Sequence, residues 1–186
     1  MRVRILILCI IFFFYQAKAQ KPIAFPSEFI DFRIDNQYFS INGIYTFVNR
    51  TNKYINNAIS FPFAVKTALI DSIKIINLKN LKTVQFKKYE HDIYFDLQML
   101  PYDTIEYNIF YRQALAKKNT YILTTTNTWG APLKNAVYSL TTIKNIKIIS
   151  FSYEPDSSKS DSIKTTYFWH KQNFLPQTEF EVIIEK

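Results

Sequence analysis

The chain has 186 residues, a formal net charge of +8 and only two glycines. Glycine-rich phosphate-binding loops and the G-x-S-x-G nucleophile elbow both need more glycine than this, which argues against nucleotide binding and against that class of serine hydrolase. The single cysteine, Cys9, lies in an apolar leader, so the rest of the chain has no disulfide, thiolate nucleophile or cysteine-ligated zinc.

The first 19 residues have the three parts of a cleavable signal peptide. Arg2 and Arg4 form a basic start, residues 5–15 form an apolar run, and residues 17–19 (AKA) form a small-residue cleavage site. The apolar run is about half of the ~20 residues that a membrane-spanning helix needs. We therefore expect export and cleavage, with no stable transmembrane anchor afterwards.

The remaining residues, 20–186, have a length that suits a single domain. Their net charge is +5, because Arg2, Arg4 and Lys18 are removed from the total of +8. The remaining lysines are spread along the chain, which is typical of a solvated basic surface, and nucleic acid is not an expected partner of an exported protein. Localisation is expected in the periplasm, on the outer surface or in the medium.

The apolar and polar residues of this domain alternate in short runs rich in Ile, Thr, Tyr, Phe and Val, as half-buried strands require. One helical turn is expected near residues 66–71. Gly43 lies inside a run and predicts a bulge or a close backbone approach. Apart from the run described next, strands are predicted over residues 29–35, 38–48, 58–63, 71–78, 83–88, 93–99, 104–115, 146–153, 163–170 and 178–184.

Residues 120–142 (TYILTTTNTWGAPLKNAVYSLTT) are predicted to form a strand, a tight corner and a second strand. The Thr-rich segment would be the first strand. Trp129, Gly130 and Pro132 would form the corner, and Leu133 and Tyr138 would belong to the strand that follows. This structural corner is an architectural feature rather than a chemical one.

About ten short strands without a convincing helix predict an all-β fold, namely an antiparallel two-sheet Ig-like β-sandwich. A closed β-barrel is the alternative. Most strands alternate cleanly on one face only, which favours the sandwich because one sheet face packs and the other is wet. The aromatic residues predicted for the core are Phe39, Phe47, Phe61, Phe63, Tyr107, Trp129 and Trp169.

Three segments carry a family resemblance. They are YTFVNRTN with the later ISFPF, TWGAPLKNAVYSL, and YFWHKQNFLPQTEFEVII. Together they resemble exported bacterial (Bacteroidetes-like) β-sandwich domains of unknown function. The resemblance implies an Ig-like sandwich and export, and it supplies no catalytic residues.

Chemically active side chains are few. His91 lies between Glu90 and Asp92, but adjacent residues splay apart in a turn or strand, so the trio is expected to be solvated. His170, the second histidine, is expected to pack at a strand end. We predict no catalytic residue, no cofactor and no metal site.

The aromatic residues provide the remaining functional hypothesis. Tyr45, Tyr111 and Tyr167 are candidate binding aromatics, because exposed rings stack on sugars or bury against proteins. The sequence therefore favours a noncatalytic binding module of the bacterial envelope, with another envelope protein or a surface polymer as partner. The alternatives are a hydrolase of polysaccharide or peptide, and an apolar-ligand carrier with a barrel-like fold.

Overall fold

The computed structural model describes residues 21–185, which form fourteen strands and two 3-10 helices. The predicted signal peptide, residues 1–19, lies outside the described residues. The 3-10 helices are η1 (Thr67–Leu69) and η2 (Thr124–Trp129). The strands are β1 (Ile23–Ile34), β2 (Tyr38–Asn49), β3 (Ile55–Pro62), β4 (Ile70–Asn77), β5 (Lys82–Thr83), β6 (Lys87–Lys88), β7 (Asp92–Met99), β8 (Thr104–Ala114), β9 (Lys118–Tyr121), β10 (Leu133–Ile143), β11 (Ile148–Phe151), β12 (Ser157–Ser160), β13 (Lys164–Phe174) and β14 (Phe180–Ile184).

The strands form one large sheet and two small ones. The large sheet has the order β12-β13-β10-β1-β2-β8-β4-β5, and the small sheets are β3-β7-β6 and β11-β14-β9. We call the small sheets the β3 sheet and the β14 sheet. Within the described residues the large sheet ends in β12 and β5 without closing, so the all-β sandwich is confirmed and the barrel alternative is wrong.

The inner face of the large sheet carries the residues that the alternation predicted. Ile30, Phe32 and Ile34 of β1 are buried. Among the predicted core aromatics, Phe61 and Trp129 are half-buried against the core and the other five are buried. The apolar period of two therefore identified the packed face.

Both small sheets pack on this same face and form the second layer. Phe180 of the β14 sheet stacks on Phe32, with ring centroids 4.4 Å apart. Phe61 of the β3 sheet meets Tyr45 of β2 edge-on at 5.3 Å. The small sheets thus cover different parts of the large sheet, with the chain around η2 between them.

One pairing departs from the antiparallel prediction. Residues 27–34 of β1 pair in parallel with residues 135–142 of β10. The intervening chain builds β2 to β9 before β10 returns to the large sheet. Alternation indicates which face of a strand is buried and carries no information on its direction, so the sequence pattern could not reveal this pair.

The predicted corner is wrong in its first arm. The Thr-rich segment forms η2 instead of a strand, because threonine hydroxyls bond to nearby carbonyls: Thr126 Oγ1 donates to Leu123 O at 2.8 Å. Gly130, with φ of 79°, ends η2. After Gly130 the chain enters β10 at Leu133, and both Leu133 and Tyr138 are buried.

Two further segments differ from their predictions. The strand predicted over residues 83–88 is split, because β5 pairs with β4 in the large sheet whereas β6 pairs with β7 in the β3 sheet. The chain crosses from one layer to the other between them. Residues 154–161, which lie outside the predicted strands, contain β12, whose polar residues form an exposed edge strand.

Gly43 forms no bulge. It pairs in register with Ile30 on one side and Ile109 on the other. The ring of Tyr45 lies over it instead, and a Cβ on Gly43 would fall 2.5 Å from the Tyr45 hydroxyl oxygen. Glycine is required at this position because the Tyr45 side chain lies close over the backbone.

Candidate binding site

A groove opens where the β3 sheet and the chain after β9 face each other. One wall is the end of β3, and the other is η2 with Trp129. The outer part is a concave space of about 400 Å³. Its lining residues are Ile23, Asn57, Ala58, Ile59, Ser60, Pro62, Thr125, Thr128 and Trp129. We call this feature the Trp129 groove.

Trp129 is held as a fixed aromatic surface in this groove. Its ring centroid lies 5.8 Å from that of Phe25 and 5.4 Å from that of Phe47. Gly130 turns the chain directly after it. At the outer end of the groove, the Lys21 ammonium donates to the carbonyl of Thr128.

The groove leads inward to Glu28, a carboxylate with no exposed surface. A register shift between Ala24 and Ser27 changes which residues of β1 face inward. Phe25 is therefore buried before the shift and Glu28 after it. From Glu28 onward the buried positions continue through Ile30.

Three tyrosine hydroxyls surround the Glu28 carboxylate. Tyr138 Oη donates to Glu28 Oε1 at 2.6 Å, and Tyr121 Oη donates to Oε2 at 3.3 Å. Tyr45 Oη lies 3.2 Å from Tyr121 Oη. We call these four residues the Glu28 cluster. Since Tyr121 donates to Glu28, Tyr45 can donate to Tyr121, and all three hydroxyl protons then point toward the carboxylate.

Burial raises the pKa of Glu28 from 4.5 to about 7, and the bonds from Tyr138 and Tyr121 oppose that shift only in part. Burial also raises the pKa of each tyrosine in the cluster well above 10, and the nearby Glu28 charge adds to the effect. The hydroxyls therefore stay protonated near neutral pH and remain donors to Glu28.

No cation neutralises Glu28 in the described part of the chain. None of the ion pairs that residues 21–185 form includes it. A buried carboxylate is usually paired with a positive charge or a metal ion. The cluster instead relies on neutral hydroxyl donors, which leaves the negative charge uncompensated at pH values above 7.

A small cavity of about 50 Å³ lies beside the cluster. Glu28, Tyr45 and Tyr121 line its inner part, while Ser60 and Trp129 belong both to its wall and to that of the groove. A liquid water molecule occupies about 30 Å³, so the cavity holds one or two small groups. The groove therefore ends in a small, mostly apolar chamber beside the Glu28 cluster.

The structure distributes the predicted site residues over both layers. Trp129 lies in the groove, and Tyr45 and Tyr138 belong to the Glu28 cluster. Tyr111 is 1% exposed and packs against Phe63 in the core, so its ring is not part of a binding surface. Tyr167 is a further candidate; its half-buried ring packs on Phe151 at 5.0 Å.

The two histidines lie in different surroundings. His91 has Glu90 as its acidic neighbour, with 3.9 Å between Nε2 and Oε1. His170 Nε2 lies 2.9 Å from Asn135 Oδ1. Among residues 21–185, no group of three or more His, Cys, Asp or Glu side chains is placed to hold a metal ion. No helix in this range has the length and apolar character needed to cross a membrane.

Glu28 is the residue that sequence reasoning missed. The predicted strand begins at Phe29, so Glu28 falls one residue outside it. The signal was available, because Glu28 continues the spacing of Ile30, Phe32 and Ile34 by one step of two. A carboxylate in a buried register position marks a functional candidate.

The sequence matches no protein-family model and no curated protein. The fold is similar to that of solved structures. One is a "putative nutrient binding protein" from Legionella pneumophila, with a TM-score of 0.68 and 17% identity over 89% of this chain and 67% of that one.

The M1 zinc metallopeptidase from Deinococcus radiodurans is also similar, with a TM-score of 0.57 and 9% identity over 88% of this chain. The structure of a mutant of this peptidase bound to a Tyr-Ser-Ala substrate has a TM-score of 0.56 and 10% sequence identity over 89% of this chain. The match spans only 43% of each peptidase chain. At these identities the likenesses establish a shared β-sandwich fold and nothing about activity.

Proposed function

We propose that this chain is a noncatalytic, exported binding module of the bacterial cell envelope that takes its ligand in the Trp129 groove. The observation that carries the proposal is the combination of a fixed aromatic surface with a buried, uncompensated carboxylate at the inner end of one groove. Recognition sites typically combine apolar walls with a few placed polar groups in this way. The similar fold of the Legionella protein is compatible with binding.

Export and compartment follow from the leader sequence. A cleaved signal peptide would place the domain in the periplasm, on the outer surface or in the medium, without a stable transmembrane anchor. In each of these places the available partners are surface polymers and other envelope proteins, and nucleic acid is absent. The open outer groove suits an extended segment of either kind.

The noncatalytic role is supported by the arrangement of the groove. Glu28 is its one buried carboxylate, and the nearby hydroxyls are neutral donors with strongly raised pKa values. A glycoside hydrolase of the usual kind uses two carboxylates that flank the scissile bond. An apolar carrier would need an internal cavity of about 300 Å³ or more. The inner chamber measures about 50 Å³, and the larger space of about 400 Å³ is an open surface groove.

The test is site-specific photo-crosslinking of the full chain in its native envelope. A photoreactive residue replaces Asn57 in the groove wall or, as a matched position elsewhere, Tyr89, which is 54% exposed. We expect a defined product from position 57 and none of the same kind from position 89. Trp129→Ala should reduce the product at least fivefold.

The proposal fails if both positions give the same products, or if Trp129→Ala leaves the product from position 57 unchanged. Mass spectrometry and sugar analysis of the product distinguish a protein partner from a polymer. The circular dichroism spectrum of Trp129→Ala must match that of the unmodified chain for the comparison to count.

A further inference from the structure

We infer that the chamber at the inner end of the Trp129 groove binds the ammonium group of a small primary amine, with the Glu28 carboxylate as its counter-charge. The inference names a ligand class for the same site and therefore rests on the proposed function. Three properties of the chamber lead to it: its charge, its walls and its size.

The charge of the chamber calls for a cation. A carboxylate has about four lone-pair sites, and Tyr138 and Tyr121 occupy one on each oxygen of Glu28. Glu28 itself has no exposed surface, so a ligand in the chamber meets Tyr45 Oη, which keeps its lone pairs when its proton points to Tyr121, and the Glu28 charge lies further in behind these hydroxyls. An ammonium group supplies three donors and a positive charge, which are what this set of acceptors lacks.

The walls favour a cation over a neutral donor. The rings of Phe25, Tyr45, Phe61, Tyr121 and Trp129 line the chamber. Aromatic faces carry negative charge density and attract cations, by about 2 kcal/mol or more when both partners are desolvated. The same walls exclude the water that would otherwise solvate the Glu28 charge.

The size selects a primary amine. The chamber of about 50 Å³ accommodates an ammonium head, which is comparable to a water molecule of about 30 Å³. A quaternary ammonium carries methyl groups on every side and exceeds this space. The carbon chain of the amine would leave through the shared opening between Ser60 and Trp129 into the outer groove.

The ionisable groups around Glu28 make the binding pH-dependent in one direction. The groups that interact with the cluster include tyrosines from four strands. Two charged residues lie at the groove: Asp92 accepts a hydrogen bond from Ser60, and Lys21 lies at the outer end. Glu28 loses its charge as the pH falls through about 7, whereas an alkyl ammonium stays protonated. Binding should therefore weaken in acid. The tyrosines on these strands are Tyr45, Tyr111, Tyr121 and Tyr138, and Tyr153, which follows β11, also interacts with Tyr138.

The experiment is isothermal titration of the full chain with propylammonium chloride, at constant ionic strength, at pH 8 and pH 6. Potassium chloride and tetramethylammonium chloride are the comparison ligands. We expect saturable propylammonium binding at pH 8 and roughly tenfold weaker binding at pH 6, because the ionised fraction of a group with a pKa near 7 falls about tenfold. Tetramethylammonium should bind at least tenfold more weakly.

Glu28→Gln keeps the size of the side chain and removes its charge. We expect at least tenfold weaker propylammonium binding and no difference between pH 8 and pH 6. The matched control is Glu154→Gln, at an exposed position between β11 and β12, which should bind like the unmodified chain. The pH comparison on the unmodified chain supplies an independent measurement if the variant folds poorly.

The inference is overturned if Glu28→Gln binds propylammonium as tightly as the unmodified chain, if binding is the same at both pH values, or if tetramethylammonium binds equally well. Absence of saturable binding also overturns it. In each of these cases a Trp129-dependent crosslink from position 57 would leave the proposed function standing, so the two failures are distinguishable.

Discussion

Two positions on the same face of β1 have opposite surroundings. Phe32 is stacked on Phe180 and lies edge-on to Tyr121 at 5.4 Å, in a dry aromatic core. Glu28, four residues earlier, carries a carboxylate among tyrosine hydroxyls beside the small chamber. Both are buried by the alternation of one strand, so the strand itself does not explain the difference.

The second layer explains it. The β14 sheet lies directly over Phe32, whereas Glu28 lies where the chain passes from β9 through η2 beside the end of β3. A gap between two packed sheets leaves room for polar atoms and a ligand, and an aromatic ring covered by a sheet has none. The burial of a residue is thus set by its own strand, and its chemistry by what is packed opposite.

The dry position should be the more sensitive to truncation. Phe32→Ala removes a ring that contacts four aromatic neighbours, and a buried Phe→Ala substitution costs about 3 to 5 kcal/mol. Urea unfolding followed by circular dichroism measures the loss. The matched control is Phe29→Ala, because Phe29 is 40% exposed on the opposite face and should cost less than about 1 kcal/mol. Equal losses for the two would show that Phe32 is not packed as described.

The polar position should instead make stability depend on pH. The pKa of Glu28 is about 7 in the folded chain and about 4.5 when unfolded, so the folded state binds the proton more tightly. The contribution of Glu28 to the free energy of unfolding is then largest below pH 4.5, falls as the pH rises to 7, and is lower by about 3 kcal/mol above it. Glu28→Gln should remove this dependence.

Urea unfolding at pH 5 and pH 8 tests whether the Glu28 contribution to the free energy of unfolding falls as the pH rises. Relative to the unmodified chain, Glu28→Gln should gain roughly 2 to 3 kcal/mol between the two pH values. Glu154→Gln, on the surface, should show no such gain. A parallel pH response in the unmodified chain and Glu28→Gln would mean that Glu28 keeps an ordinary pKa.

A smaller effect is expected at the boundary between the two regions. Gly43→Ala places a methyl group against the Tyr45 ring, and overpacking of a well-filled core costs about 1 to 3 kcal/mol. The same substitution in a Tyr45→Ala background should cost less than half as much, because the obstructing ring is gone. Urea unfolding of the four chains closes this double-mutant cycle, and additive losses would contradict the close approach.

Much of the fold could be predicted from the sequence. The buried face of β1 follows from Ile30, Phe32 and Ile34, and the helical turn at η1 follows from a break in alternation. What the pattern omits is direction and layer. The parallel course of β10 and the division of residues 83–88 between two sheets depend on contacts far apart in the chain, which alternation does not encode.

The site was harder to predict, because its parts come from separate elements. Trp129 stood out by composition, yet its neighbours Phe25 and Phe47 belong to β1 and β2. Glu28 shares the alternation of Ile30, Phe32 and Ile34, whereas the inward position of Phe25 depends on the register shift between Ala24 and Ser27, a feature with no reliable sequence signature. The chamber exists only once the small sheets are packed side by side.

The parallel pairing of β1 with β10 has a consequence for synthesis of the chain. Ser27 lies opposite Asn135, so β1 leaves the ribosome long before this neighbour and stays without it until β2 to β9 have followed. Assembly governed by such distant partners is slow, on the order of milliseconds to seconds. A chain cut short before β10 would leave the apolar strand β1 as an open edge, which is a template for aggregation.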